Sequence, residues 1–150
     1  MKLLHIAPEK CLSFHFNNYP NITYLGADIN PDYADIQMDI TNIPYGENEI
    51  DYIICSHVLG HIPDEKKAIS ELYRVLSLQG TVFALTLIDL DNPDTFETTD
   101  ADFGQRLEAE GFRVEAIDYR LNFDAKIREK YSLGDGKREV IFKYTKPASF

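Results

Sequence analysis

The sequence predicts an α/β protein, a Rossmann-like doubly wound sheet in three α/β/α layers, and three observations carry that expectation. Short apolar runs alternate with segments of helical periodicity, the pattern of a sheet whose crossovers are helices. The central run Ile50-Asp51-Tyr52-Ile53-Ile54-Cys55 is apolar almost throughout, as in a strand buried on both faces and paired in parallel. Connections are short, and 150 residues with 44% hydrophobic content suffice for a single domain over residues 1–150 with its own core.

The elements follow in order. Leu3 to Ala7 is a strand stopped by Pro8, which fits the first turn of a helix. That helix is expected to carry Cys11, Leu12, Phe14 and Phe16 inward and to fade at Asn17-Asn18. Ile22 to Ala27 is a second strand ending at Asp28, with Asn30-Pro31-Asp32 as its breaker. Ile36-Gln37-Met38 is a short third strand closed by Asp39, and Ile50 to Cys55 is the fourth. From Pro63-Asp64 a helix with an acidic first turn places Ala68, Ile69, Leu72, Val75 and Leu76 on one face and stops near Gln79-Gly80. Thr81 to Leu87 is a fifth strand, Asp91 to Asp94 a loop, and Phe103 to Glu110 a helix stopped by Gly111. Phe112 to Ile117 and Glu139 to Tyr144 complete the strands, with Gly134-Asp135-Gly136 as the turn before the last. No strong helix separates these two, so the mostly parallel sheet is expected to end with an antiparallel C-terminal strand. Leu121 to Tyr131 fits either a loop or a short helix.

Composition narrows the function. Fifteen Lys+Arg against 25 Asp+Glu give a formal charge of -10, which repels a phosphate backbone, so nucleic acid is not an expected partner. No apolar run reaches the roughly 18 residues of a membrane span, and the opening Met1 to Leu4 is broken before it makes a signal sequence. Cys11 and Cys55 form neither a disulfide framework nor a zinc-ligand spacing, so a cytoplasmic protein without a metal is expected.

In an open α/β sheet, ligands bind at the carboxyl ends of strands, beside the point where strand order reverses. The residues there are His5 to Glu9, Asp28, Asp39 and Cys55-Ser56-His57. A carboxylate after the second strand can accept both hydrogen bonds of a ribose diol, and one after the third can accept from an adenine amino group. The same acids also suit plain turn capping, Asp28 toward Asn30 and Asp39 toward Thr41. His57 directly follows its strand and is of the residue type suited to general-base work near neutral pH. A loop hydrogen bond is the plainer role for it.

The run Asn48-Glu49-Ile50-Asp51-Tyr52-Ile53-Ile54-Cys55-Ser56-His57-Val58-Leu59-Gly60-His61-Ile62-Pro63-Asp64, followed by Ala68, Glu71, Leu72, Arg74-Val75-Leu76 and Gly80, resembles the centre of the class I S-adenosylmethionine-dependent methyltransferases, most closely their small-molecule branch. The likeness extends from Leu3 to Leu87, and again over Asp102 to Phe112. It implies that S-adenosylmethionine is the cofactor, that a small molecule is the acceptor, and that the methyl moves by in-line displacement without a covalent enzyme intermediate. By the same resemblance Asp28 would hold the ribose hydroxyls, Asp39 the adenine amino group and the backbone of Ile40 the ring edge, with Ile29 packed on the adenine. Ser56 and His57 would lie beside the methionine portion and the acceptor, and Asp51 would be structural.

The chain departs from that pattern in its first motif. Members carry an acid and then G-x-G-x-G after the first strand, whereas here His5 takes the acid's place, Ala7 the first glycine's and Glu9 a later glycine's. Glu9 then either narrows the approach to the methionine end or replaces the lost acid by accepting from the ammonium. Pro8-Glu9 as no more than a good helix start is the plainer alternative. Gly60 is a second departure, standing where members place a Glu.

Two other functions compete. A nicotinamide-binding domain would also use Asp28, but the G-x-G-x-x-G turn is missing and Asp39 and the central segment stay unexplained. A methyltransferase-like module without catalysis, serving as a binding or regulatory subunit, fits the altered turn, the lack of residues before the first strand and the short stretch from Asp89 to Asp100. The acidic, uncovered face of such a methyltransferase-like domain would be completed by a second copy or by a partner chain.

Overall fold

The structure is a computed structural model that describes residues 1–89, 100–118, 122–130 and 137–148. Its elements are β1 (Lys2–Ile6), α1 (Lys10–Asn17), β2 (Thr23–Asp28), β3 (Ile36–Gln37), β4 (Ile50–Ser56), a 3-10 turn (Leu59–His61), α2 (Glu65–Val75), β5 (Leu76–Asp89), α3 (Asp100–Ala109), β6 (Arg113–Ile117), α4 (Ala125–Lys130) and β7 (Lys137–Thr145). The sheet runs β3-β2-β1-β4-β5-β7-β6. Pairing is parallel from β3 to β5, while β7 is antiparallel to both β5 and β6. The expected three-layer architecture is therefore present, with β7 inserted between β5 and β6 instead of closing the edge. Residue pairing across the sheet decides this insertion, and a single strand's pattern carries no sign of it. The expected loop at 91–94 and the turn at 134–136 lie outside the described residues, and 121–131 contains the short helix α4.

Side chains alternate between the two faces of each strand. One face carries Leu4, Ile6, Ile53, Cys55, Val82, Ala84, Phe142 and Tyr144, and it forms the core with Ala68, Ile69, Leu72 and Val75 of α2 and Phe103 and Leu107 of α3. Burial there pushes the Cys55 thiol up to about 12, so it behaves as a small apolar side chain. The Tyr144 hydroxyl is fully buried with no hydrogen-bond partner among the described residues. An unpaired buried hydroxyl costs about 1–3 kcal/mol, so Tyr144→Phe is expected to raise stability by about 1 kcal/mol in urea unfolding, with no loss of folded structure.

The opposite face, bearing His5, is covered by α1, which docks otherwise than expected. No side chain of α1 is fully buried, Phe14 is 76% exposed, and Cys11 and Leu12 also face outward. Ser13 and Phe16 make the contact, Phe16 stacking on Tyr24 with ring centroids 6.4 Å apart. At about 100° per residue, Phe14 and Phe16 point to nearly opposite sides of a helix, so they cannot share an inward stripe.

Helix α2 also ends earlier than expected, at Val75, and Leu76 already pairs with Ile50 as the first residue of β5. The carbonyls of Arg74 and Val75 accept from the backbone N–H groups of Asn48 and Glu49, so the last turn is satisfied by the segment before β4. Lys146 completes this closure. Its buried ammonium donates to Asn48 Oδ1 (2.8 Å), the Tyr73 carbonyl (2.8 Å) and the Leu76 carbonyl (2.9 Å), and it lies over the Tyr73 ring. Gly80 is thus not a helix stop. It lies within β5, where a Cβ would stand 2.8 Å from the Ser77 carbonyl and 2.9 Å from that of Asp51. Because backbone must move to make room, Gly80→Ala is expected to destabilise by about 2–3 kcal/mol, measured as a lower urea midpoint.

The loop between β3 and β4 is braced onto α2 by the Glu71 and Arg74 of the resembling motif. Arg74 donates to Glu71 through Nε (2.7 Å) and Nη2 (2.8 Å), and to the carbonyls of Tyr45 (2.8 Å) and Ile43 (2.9 Å). Glu71 accepts in turn from the Ile43 N–H. The Arg74 guanidinium holds the Glu71 carboxyl below the ordinary carboxylate range. Asp51 is likewise structural, accepting from the Lys2 N–H at 2.8 Å.

Candidate functional site

Strand order reverses between β1 and β4, since β2 and β3 lie on one side of that pair and β5 on the other. The loops leaving β1 and β4 therefore diverge and open a crevice at the carboxyl ends of the strands. Both exits are conformationally unusual. Ala7 has φ 51° and His57 φ 53°, each a non-glycine residue in the left-handed region, where sterics favour glycine. Backbone bonds hold them there, from Ala7 N–H to the Ala27 carbonyl (2.9 Å) and from His57 N–H to the Leu85 carbonyl (3.0 Å). Ala7 thus keeps the glycine-type turn without the glycine, and such strained positions concentrate at functional sites.

Beneath this turn lies a polar cluster on the α1 side of the sheet. His5 has no exposed surface, and its Nε2 is 2.7 Å from Glu9 Oε2 and its Nδ1 3.0 Å from Tyr24 Oη. Burial pushes the His5 imidazole below its ordinary 6.5, outweighing the hydrogen bond and charge of Glu9. Partial burial pushes the Glu9 carboxyl up, but hydrogen bonds from Ser56, from its own backbone N–H and from His5 outweigh that and leave it lowered. Neutral imidazole and ionised carboxylate are therefore the neutral-pH pair. Gly26 keeps this region open, since a Cβ there would meet Tyr24 Cε1 at 3.3 Å and Pro8 Cγ at 3.5 Å.

The remaining candidate residues lie at or beyond the carboxyl ends of β2, β3 and β4. Asp28 is half-buried at the end of β2, and its Oδ1 accepts from the Asn30 N–H at 2.8 Å. Asp39 is exposed, and its Oδ1 accepts from both the N–H and the hydroxyl of Thr41, each at 2.8 Å. Those two bonds, the backbone one foremost, hold its carboxyl below the usual range. Both turn-capping bonds anticipated from sequence are present, and each uses one carboxylate oxygen. Ile29 is 69% exposed, whereas the Ile40 side chain is buried in the core, so only the backbone of Ile40 can face the crevice. Ser56 is buried and His57 exposed. Gly60 has open space where a side chain would begin.

The structure thus brings His5, Glu9 and Ser56 together, and leaves Asp28 and Asp39 each capping its own turn. It also adds two residues that sequence reasoning missed, Tyr24 and Ser13, whose oxygens lie 2.7 Å apart. The signal was available in the strand period. Tyr24 and Gly26 share a face of β2, and Gly26 pairs with His5. His5 itself has both ring nitrogens engaged, so it acts on the crevice through Glu9. Among the described residues no group of three or more His, Cys, Asp or Glu could hold a metal ion, and no helix is long and apolar enough to cross a membrane.

Residues 13–84 match the sequence model of a family described as methyltransferase domain. A comparison with curated protein sequences gives no match. Among solved structures, the chain is similar to the [4+2]-cyclase SpnF, with TM-score 0.75 and 14% identity over 99% of this chain and 75% of that one. It is similar also to Haemonchus contortus phosphoethanolamine N-methyltransferase 2 in complex with S-adenosyl-L-methionine, with TM-score 0.69 and 14% identity over 98% of this chain and 49% of that one. A third is the Haloferax volcanii complex of the Trm112 methyltransferase activator with a putative methyltransferase, with TM-score 0.70 and 12% identity over 98% of this chain and 83% of that one. At these identities the likeness concerns the fold. Strand order, layer arrangement and these matches together give the chain the Rossmann-like fold of class I S-adenosylmethionine-dependent methyltransferases.

Proposed function

We propose that this protein binds S-adenosylmethionine at the β1/β4 crevice and transfers its methyl group to a small-molecule acceptor. The observation that carries the reading is the pair of strand exits at Ala7 and His57, both left-handed, at the one place where the parallel strand order reverses. The residues present fit the cofactor. Asp28 would accept from the ribose hydroxyls, Asp39 and the Ile40 backbone would meet the adenine edge, and the exposed Ile29 would cover the ring. Glu9 and Ser56 would face the methionine end, with Glu9 accepting from its ammonium in place of the acid that His5 displaces. When bound, the cofactor supplies a sulfonium methyl that an acceptor oxygen, nitrogen or carbon takes by in-line displacement. The chain's own work is orientation and exclusion of water. His57, exposed beside the crevice, would accept the proton that the acceptor loses.

A second reading is favoured by the Glu9 carboxylate standing at a glycine position of the resembling motif. The crevice would then bind its ligand without transferring a methyl, as a binding or regulatory subunit. A solved relative that carries the same fold and is described as a [4+2]-cyclase is consistent with such divergence. The similarity to a methyltransferase solved with an activator suits a partner chain over the open face, and a second copy would serve equally.

Methyl transfer is tested by incubating the protein with S-adenosylmethionine labelled in its methyl group and pooled small-molecule alcohols, amines and carbon acids. Acceptor-dependent transfer of the label into a methylated product, with S-adenosylhomocysteine released in equal amount, is expected, and His57→Ala is expected to slow it by about 10²-fold or more. Cofactor binding without any acceptor-dependent product would replace the first reading by the second. Unaltered turnover in His57→Ala would remove His57 from the chemistry.

A further inference from the structure

His5, Tyr24 and Ser13 form a chain whose protons have one arrangement at neutral pH. His5 is neutral, and its Nε2–H points at the ionised Glu9 carboxylate. Its Nδ1 is then bare and must accept, so the Tyr24 hydroxyl donates to it. The Tyr24 oxygen, having given its proton, accepts from the Ser13 hydroxyl at 2.7 Å, which shares that proton with the Glu9 backbone carbonyl at 3.1 Å. Each donor therefore points the same way, from Ser13 through Tyr24 and His5 to Glu9. The chain begins on α1, crosses β2 and β1, and ends on a side chain that is 41% exposed at the crevice. A merely packed histidine needs only that its nitrogens be satisfied. Here the satisfied ring ends on a carboxylate, which Ser56 also holds. Two such bonds remove most of the rotamer freedom that an exposed Glu would have to lose on binding a ligand.

We infer that Ser13 and Tyr24 are positioning residues that, through His5, fix the Glu9 carboxylate as the acceptor for the ammonium group of an S-adenosyl amino acid. This rests on the reading of the crevice as an S-adenosylmethionine site. It goes further in naming two residues that would touch no ligand and yet set its affinity. It also sets a pH dependence. Protonation of His5 places a cation against Glu9 and weakens its hold on another cation. The charged or titratable groups acting on His5 and its chain are Glu9, Tyr24 and Asp35, the last acting on Tyr24. Affinity for the amino-acid end should therefore fall as pH drops below the ordinary 6.5 of His5.

The test compares S-adenosylhomocysteine with 5′-methylthioadenosine by titration calorimetry, since the second keeps the adenosine and sulfur but lacks ammonium and carboxylate. In Glu9→Gln, S-adenosylhomocysteine is expected to bind about 30-fold more weakly and methylthioadenosine as before. Tyr24→Phe is expected to lose about fivefold toward S-adenosylhomocysteine alone, and to move the acid midpoint of its binding to higher pH, because the neutral imidazole has lost its donor. Ser13→Ala, at the far end of the chain, is expected to give a smaller loss with the same selectivity, and serves should Tyr24→Phe fold poorly. Equal losses for both ligands, or no loss for either, overturn the inference while leaving the crevice as the ligand site. Failure of both ligands to bind the unaltered protein overturns the site and the inference together.

Discussion

Lys146→Ala is expected to lower stability by about 3–4 kcal/mol. The ammonium donates to three acceptors from three segments, Asn48, Tyr73 and Leu76, at 2.8–2.9 Å. Hydrogen bonds to charged groups contribute about 1.5–3 kcal/mol each, and truncation leaves the buried Leu76 carbonyl without this partner. Burial pulls the ammonium below its ordinary 10.5. A group whose folded pKa is depressed in this way favours its neutral form on folding, so its charge weighs against the fold below that folded pKa. The bonds offset that weight, and Lys146→Met should recover the packing but not the bonds. Urea unfolding of both variants checks the ordering, with Met intermediate. Equal stability of Lys146→Ala and the unaltered protein would show that the closure between β7 and the α2 exit contributes nothing.

The largest effect on binding is expected from Asp28. Asp28→Asn keeps an oxygen for the Asn30 N–H and so preserves the turn, but removes the charge that would accept from two ribose hydroxyls. A loss of about 10²-fold in affinity for S-adenosylhomocysteine is expected, equivalent to about 2.7 kcal/mol, with the melting temperature of the free protein little changed. Asp28→Ala should lose at least as much and also destabilise the turn. Undiminished affinity in Asp28→Asn would refute the placement of the ribose at β2. Asp39→Asn is a useful contrast, because its Oδ1 is already doubly engaged by Thr41 and its effect should be smaller.

Local order was legible in the sequence. The continuous apolar run of β4, the i, i+3, i+4 spacing of Ala68, Ile69, Leu72 and Val75, and the acids at the ends of β2 and β3 each depend on neighbours within a few residues. Long-range partners were not. The insertion of β7 depends on its pairing with β5, between residues 48 to 64 positions apart, such as Leu85 with Ile141. The early end of α2 is imposed by Asn48, Glu49 and Lys146, none of which alters the helical periodicity that runs on through Leu76. Helix α1 docks through Ser13 and Phe16 and not through its most hydrophobic positions, because the partner it meets on β2 is the polar-tipped ring of Tyr24. At the site the same division holds. His5 and Glu9 drew notice as departures from a motif, but their coupling to Tyr24 and Ser13 needed the pairing of β1 with β2.

The crevice between β1 and β4 is proposed to hold an S-adenosyl ligand, and thermal unfolding with added ligand tests this most directly. Ligand bound only by the folded state stabilises it by about 2.7 kcal/mol at a concentration about 100 times its Kd, which in a chain of this size raises the melting temperature by roughly 5–10 °C. That rise is predicted with S-adenosylhomocysteine and S-adenosylmethionine, and no comparable rise with NAD. No shift with either sulfur compound at millimolar concentration, or an equal shift with NAD, would contradict the claim.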